Sequence, residues 1–157
     1  MFIIVVGGGK VGYYLTKHLL AEGHEVLVIE KEARKCQAIT DELGSVAMRG
    51  DGCEVATLED AGTARSDLLI AVTGDDEDNL VACQVAKHKF NIPRTIARIN
   101  NPKNENIFKV LGIDTTVSST QVILAQIEEN LPLHFLIPLW HLRGGKRRPA
   151  RAAAARK

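Results

Sequence analysis

The sequence predicts an α/β protein built on a doubly wound, parallel six-stranded sheet. Three observations carry this. Short unbroken apolar runs, rich in Val and Ile, alternate with helix-length segments, the pattern of parallel strands covered on both faces. Six such runs occur along the chain. The first ends in Gly7-Gly8-Gly9-Lys10-Val11-Gly12 and passes directly into a helix-like stretch, so a tight strand-to-helix turn opens the fold.

Taken in order, strands are expected at 2–6, 26–29, 45–49, 68–73, 95–99 and 115–118. Helices are expected at 10–22, 31–43, 54–61, 76–90, 102–111 and 121–130. Gly23, Gly44 and Gly62 follow three of these helices where a terminating residue is needed. Pro102 sits in the first turn of the fifth, where its missing N–H costs nothing. Right-handed crossovers between the strands complete a Rossmann-like architecture, in which ligands lie at the carboxyl ends of the strands.

A chain of 157 residues, 45% hydrophobic and 25% charged, is enough for one domain with a proper core. No apolar run reaches the roughly 18 residues that span a bilayer. The opening Met1-Phe2-Ile3 lacks a basic region and its apolar run stops at glycines, so no signal peptide is expected. Cys36, Cys53 and Cys83 are odd in number and widely spaced, which suits buried reduced thiols better than a zinc site or disulfides. The net charge of +1 hides an asymmetry: seven basic residues and no acidic one follow Leu142. The remaining body is acidic, a poor surface for nucleic acid. Residues 1–120 are thus expected to form the nucleotide-binding domain and 121–142 a helix and apolar connector. Residues 143–157 read as a basic, disordered tail.

Gly7-x-Gly9-x-x-Gly12 has dinucleotide-binding spacing. Gly7 permits the tight turn, Gly9 lets the backbone approach a pyrophosphate, and Gly12 lets the helix press on the strand. The helix front, from Lys10 and Val11, offers N–H groups and partial positive charge to an anion. Glu30 ends the second strand 23 residues after Gly7, close to the roughly 20 expected for a carboxylate that accepts ribose hydroxyls and repels a 2′-phosphate. Lys31 follows it. Gly50-Asp51-Gly52 after the third strand lies toward the adenine end, or is an ordinary Asp-Gly turn. Thr73 and Gly74 face the glycine turn across the cleft. In the run Asp75-Asp76-Glu77-Asp78, Asp75 reads as a helix N-cap rather than a cation ligand. Arg98, on an apolar strand, needs an anion or a carboxylate, and reads as a phosphate clamp or an internal salt bridge.

These pieces together resemble the TrkA-N domain (also called KTN or RCK N-terminal) of bacterial potassium-uptake regulators. The matching elements are GGGKVG, the acidic end of strand two, GDG, AVTGDDEDN, ARINNPKNENIFKVLGID and TTVSST, over residues 2–142. The resemblance implies a cytosolic, non-enzymatic regulatory subunit at the inner face of the membrane. It would bind NAD(H) or an adenine nucleotide (ATP, ADP or AMP) and gate a membrane potassium channel or transporter. It also implies homodimers that assemble into rings. It carries nucleotide contact to Gly7, Gly9, Lys10, Gly12, Glu30, Asp51, Thr73 and Arg98. Val11, Lys31, Gly50, Gly52, Gly74, Asp75 and Asn79 complete the candidate set, with no catalytic residue. Some members place a metal-binding glutamate after the last strand; here Ser118-Ser119-Thr120 stands there, so no metal residue is expected.

The connector, LPLHFLIPLWHL at 131–142, holds Phe135 and the only tryptophan, Trp140. So apolar a segment reads as a subunit contact. The competing functional class is a fragment of an NAD-dependent oxidoreductase. That class needs a substrate pocket and a proton donor beside the nicotinamide, and His18, His24, His88, His134 and His141 are poorly placed for the role.

Overall fold

The computed structural model describes residues 1–132. In chain order the elements are β1 (Phe2–Val6), α1 (Lys10–Ala21), β2 (Glu25–Glu30), α2 (Ala33–Leu43), β3 (Ala47–Arg49), α3 (Val55–Asp60), β4 (Leu68–Ala71), α4 (Asp76–Phe90), β5 (Thr95–Ile99), α5 (Glu105–Val110), β6 (Thr115–Ser118) and α6 (Ser119–Glu129). Single 3-10 turns occupy Thr63–Arg65 and Pro102–Asn104. The chain divides into a unit of residues Met1–Ser119 and a second unit from Thr120. The expected connector from residue 133 onward, with Phe135 and Trp140, and the basic tail lie outside the described residues.

All six strands are parallel, in the order β3-β2-β1-β4-β5-β6. The chain starts in the middle at β1, winds outward through β2 and β3, then returns to add β4, β5 and β6 on the other side. The reversal point lies between β1 and β4, where a doubly wound sheet leaves a crevice.

Strand β1 shows why the sheet is buried on both faces. Phe2, Ile4 and Val6 enter one core with Leu58 of α3, Ala82, Cys83 and Ala86 of α4, and Phe108 of α5. Ile3 and Val5 enter the opposite core with Val26, Val28, Ile39, Leu68 and Ile70. Side chains alternate with period two, so an unbroken apolar run serves both layers.

Several boundaries differ from the sequence-based expectation, for local reasons. Helix α2 begins at Ala33 rather than residue 31, because the Glu32 N–H donates to the Glu30 carboxylate at 2.9 Å and its backbone stays extended. Strand β4 stops at Ala71 rather than residue 73, since the Thr73 backbone is taken up by the Asn79 side chain. The expected helix 102–111 divides into the turn Pro102–Asn104 and α5, and α6 starts two residues early. The thiols also differ: Cys83 is buried, but Cys36 and Cys53 are half-buried.

The glycine turn is set by close approach. Gly7 has φ +108°, and a β-carbon there would sit 3.0 Å from Thr73 Cγ2 and N. At Gly12 a β-carbon would overlap the Gly7 carbonyl oxygen. At Gly9 nothing lies within 4 Å. Gly12→Ala is therefore expected to lower unfolding free energy by about 2–4 kcal/mol, since backbone rather than a flexible side chain must move. Gly9→Ala should change it by less than about 0.5 kcal/mol. Urea denaturation of the two variants side by side checks both.

Candidate functional site

A cleft of about 330 Å³ opens at the carboxyl ends of β1, β2 and β4, within the roughly 300–1,000 Å³ of small-molecule sites. Its floor is backbone. Val6, Gly7 and Gly9 lead into α1, with Lys10 and Val11 at the helix front. Gly9 is the N-cap of α1, and with no side chain it leaves the front of that helix uncapped; no acidic residue lies in the first turn. Helix α4 is built the other way. The Asp75 side chain accepts from the Asp78 N–H at 3.1 Å, Asp76, Glu77 and Asp78 fill the first turn, and Lys87, His88 and Lys89 the last. Of these two helix fronts, only that of α1 is left open to an outside anion.

Glu30 closes the β2 side and is buried. Its Oε1 accepts the Gly8 N–H at 2.7 Å and its Oε2 accepts the Glu32 N–H at 2.9 Å. The carboxylate thus ties the glycine turn to the start of α2. A carboxylate has about four acceptor positions, so two remain beyond those amides.

Next to it stands an ion cluster. Lys31 Nζ lies 3.0 Å from Asp78 Oδ2 and 4.0 Å from Asp51 Oδ2. The Asp78 hydrogen bond, then the charges of Asp51 and Asp78, push the lysine above its ordinary value. Asp51 also accepts the Cys53 N–H at 2.9 Å, so the Gly50-Asp51-Gly52 turn both caps itself and lines the cleft. Gly52 is pressed on the end of β1: a β-carbon would come 2.5 Å from Val6 Cγ1. Burial first, then the neighbouring Asp51 and Asp78, push the Cys53 thiol up to about 12. It therefore stays protonated near neutrality and is no nucleophile.

Across the cleft, Thr73, Gly74 and Asp75 face the glycine turn, with Arg98 behind them. Arg98 Nε is buried without a hydrogen-bond partner. Among the described residues no ion pair reaches its guanidinium, whereas Lys31 pairs with Asp78 and Lys35 with Glu32 at 3.0 Å. Among the described residues the internal salt bridge weighed for Arg98 from the sequence is therefore not formed.

Two of the sequence-predicted residues stand elsewhere. Gly12 packs α1 on the turn and does not line the cleft. Asn79 is fully buried. Its Oδ1 accepts from the Thr73 N–H at 2.9 Å and the Thr73 hydroxyl at 2.6 Å, and its Nδ2 donates to the Thr73 and Arg98 carbonyls at 3.1 and 2.9 Å. All four hydrogen-bonding positions of the amide are used, so it has none left for a ligand. The other predicted residues, Gly7, Gly9, Lys10, Val11, Glu30, Lys31, Gly50, Asp51, Gly52, Thr73, Gly74, Asp75 and Arg98, share the one cleft. Sequence reasoning missed Glu32, Lys35, Cys53 and Asp78 as lining residues. The position of Cys53 directly after the GDG turn was the available signal.

A central-start, six-stranded parallel sheet with a glycine turn at its switch point places the chain among Rossmann-like domains. Within that class the family is also defined: residues 3–119 match the TrkA-N domain, and the chain belongs to that family. A Trk system potassium uptake protein TrkA homolog of Methanothermobacter thermautotrophicus is 36% identical over 129 residues, 82% of this chain and 59% of that protein. This chain thus spans well under two thirds of that relative. Among solved structures, the TrkA-N domain of inner membrane protein ybaL from Escherichia coli superposes with a TM-score of 0.77 at 22% identity, covering 83% of this chain and 96% of that one. The GsuK channel bound to NAD gives 0.67 at 26% identity, over 77% of this chain and 21% of that one.

The polar frame behind the cleft has a measurable pH signature. Asp76 accepts from the N–H groups of Asn100 and Asn101 at 2.7 and 2.9 Å and from the side chains of Asn100 and Asn104 at 2.9 and 2.8 Å. Partial burial pushes its carboxyl up, but these donors together outweigh it and hold the group below its ordinary 3.8. A depressed carboxylate contributes stability that is complete above the unfolded value and lost as pH falls through the folded one. Asp76→Asn should therefore be clearly less stable than wild type at pH 7, with the difference shrinking as pH falls below about 4. Urea midpoints measured across that range check it.

Proposed function

We propose that this domain is a non-enzymatic nucleotide sensor. It holds NAD(H) or an adenine nucleotide (ATP, ADP or AMP) in the cleft between β1 and β4. The observation that carries the reading is that an uncapped helix front and an unpaired arginine border the same cleft. Together they supply backbone donors and a full positive charge for a diphosphate. Glu30, held by two amides, retains acceptor positions for ribose hydroxyls and disfavours a 2′-phosphate. The GsuK channel, solved with NAD and with ADP, supports this choice of ligands.

The described side chains support sensing rather than turnover. His18 pairs with Glu22 at the far end of α1, and His24 sits beside the Met1 amine. His88 lies in the last turn of α4. All three are remote from the cleft, and its thiol is held protonated. In the cell the domain works at the cytoplasmic face of the membrane as a regulatory subunit of a potassium uptake system. Occupancy acts there by binding one arrangement of the assembled subunits better than another. Assembly as a homodimer, and then as a ring, draws on α6, where Val122, Ile123 and Ile127 are exposed. In this reading the channel or transporter is a separate partner; among the described residues no helix is long and apolar enough to cross a membrane.

Calorimetry with ADP, NAD and NADP on one sample tests the ligand reading. Saturable binding of ADP and NAD is expected, with NADP weaker than NAD by about tenfold or more, the penalty of a phosphate set against Glu30. Gly9→Val should cost at least about tenfold in ADP affinity while the fold persists. NADP binding as tightly as NAD, or an unaffected Gly9→Val, would sink the proposed pose. Measurable oxidation of NADH by simple carbonyl compounds would return the chain to the oxidoreductases. Light scattering checks assembly, for which a species of at least two chains is expected.

A further inference from the structure

Strands β4 and β5 are paired only as far as Ala71 and Ala97. Beyond that point they part. Val72 stays with β1, donating its N–H to the Val6 carbonyl at 2.9 Å. Arg98 and Ile99 stay with β6, paired with Val117 and Ser118. The split leaves Thr73 on one side and Arg98 on the other, and both border the cleft. Asn79, from the first turns of α4, fills the gap. Its amide replaces the missing rung with two bonds to the Thr73 backbone, one to the Thr73 hydroxyl and one to the Arg98 carbonyl.

We propose that Asn79 is the positioning residue of the phosphate subsite. It touches no ligand, but it sets the spacing between the Thr73 loop and Arg98, and through that spacing it aims the guanidinium at the bound diphosphate. This inference rests on the nucleotide reading above. The chemistry requires asparagine. The two sides of the gap offer two carbonyl acceptors, one N–H and one hydroxyl, and only a side-chain amide has two donors and two acceptors to match them. Aspartate has the same shape but faces the Thr73 and Arg98 carbonyls with no donors, so the gap widens and the guanidinium moves with it. The Arg98 side chain has no partner of its own among the described residues to hold it, so its aim depends on the backbone that carries it.

The test separates positioning from mere stability. The quantity read is the phosphate increment, the ratio of dissociation constants for adenosine and for ADP, measured by calorimetry on the full chain. In wild type ADP should bind more tightly. Arg98→Met should reduce the increment by about tenfold or more, as for loss of a charge-assisted bond. Asn79→Asp should reduce it comparably, leave adenosine affinity within about twofold, and add nothing further in the double variant. An increment unchanged in a folded Asn79→Asp, or an equal loss for adenosine and ADP, overturns the proposal. Wild type that binds ADP no better than adenosine fails at the first step, and removes the nucleotide pose together with the inference. Wild-type NMR decides even if Asn79→Asp does not fold. On ADP addition the Arg98 Nε–H signal should shift, while the Asn79 side-chain amide keeps its position and its slow solvent exchange. An Arg98 signal that does not respond, or an Asn79 amide that shifts as strongly as Arg98, overturns it.

Discussion

The contact between Gly12 and the Gly7 carbonyl decides where everything else at the cleft can be. The first turn of α1 lies so close to the end of β1 that no β-carbon fits between them. That closeness points the front of the helix at the crevice between β1 and β4. The same economy of side chains recurs around it: Gly7 lies against Thr73 and Gly52 against Val6. Three segments from different parts of the chain therefore approach closely at glycines, and the front of α1 is left without a side-chain cap beside the cleft. Glu30 fixes this arrangement by accepting the Gly8 N–H from the side. An exposed carboxylate would gain little from such a bond, but a buried one needs it.

Charge is sorted across the cleft. On the β2–β3 side the lysines that line the cleft have opposite partners nearby, Lys31 with Asp78 and Asp51, and Lys35 with Glu32. On the side of the α1 front and β5, Lys10 and Arg98 have no carboxylate partner among the described residues. A ligand with an uncharged end and an anionic middle matches this sorting. Its neutral part can lie against a region already balanced, and its negative part meets cations that are not otherwise engaged. A uniformly charged metabolite would match only half of it.

Much of this was legible in the sequence. Continuous apolar runs separated by helical segments fix the fold class because only a doubly covered parallel sheet buries both faces of a strand such as Ile3-Ile4-Val5-Val6. The cleft residues were legible because the glycine turn, Glu30 and the GDG turn each follow a strand, and parallel strands bring their carboxyl ends together. Asn79 was misjudged for a physical reason. Its position near the start of a helix beside the cleft suggests a ligand contact, and only the split between β4 and β5 shows that backbone consumes the amide. Boundaries failed where side chains compete with regular backbone bonding. Glu30 takes the Glu32 N–H and delays α2, and Asn79 takes the Thr73 backbone and shortens β4. The Lys31 cluster was invisible for another reason, because Asp51 and Asp78 reach it from distant segments.

Glu30 shows how structural and recognition roles are combined in one group. Its two oxygens are each held by a backbone amide, so the carboxylate cannot swing away from the cleft when a ligand arrives. A fixed acceptor loses little entropy on binding, and can discriminate ligands that a mobile side chain would accommodate by turning aside. Lys31 and Lys35, the nearest lysines, are each already paired with other carboxylates. A ribose with free hydroxyls can donate to such a group, whereas a ribose bearing a phosphate sets a second anion against it. The selectivity expected of the cleft therefore comes from what the fold needs to hold its own glycine turn in place.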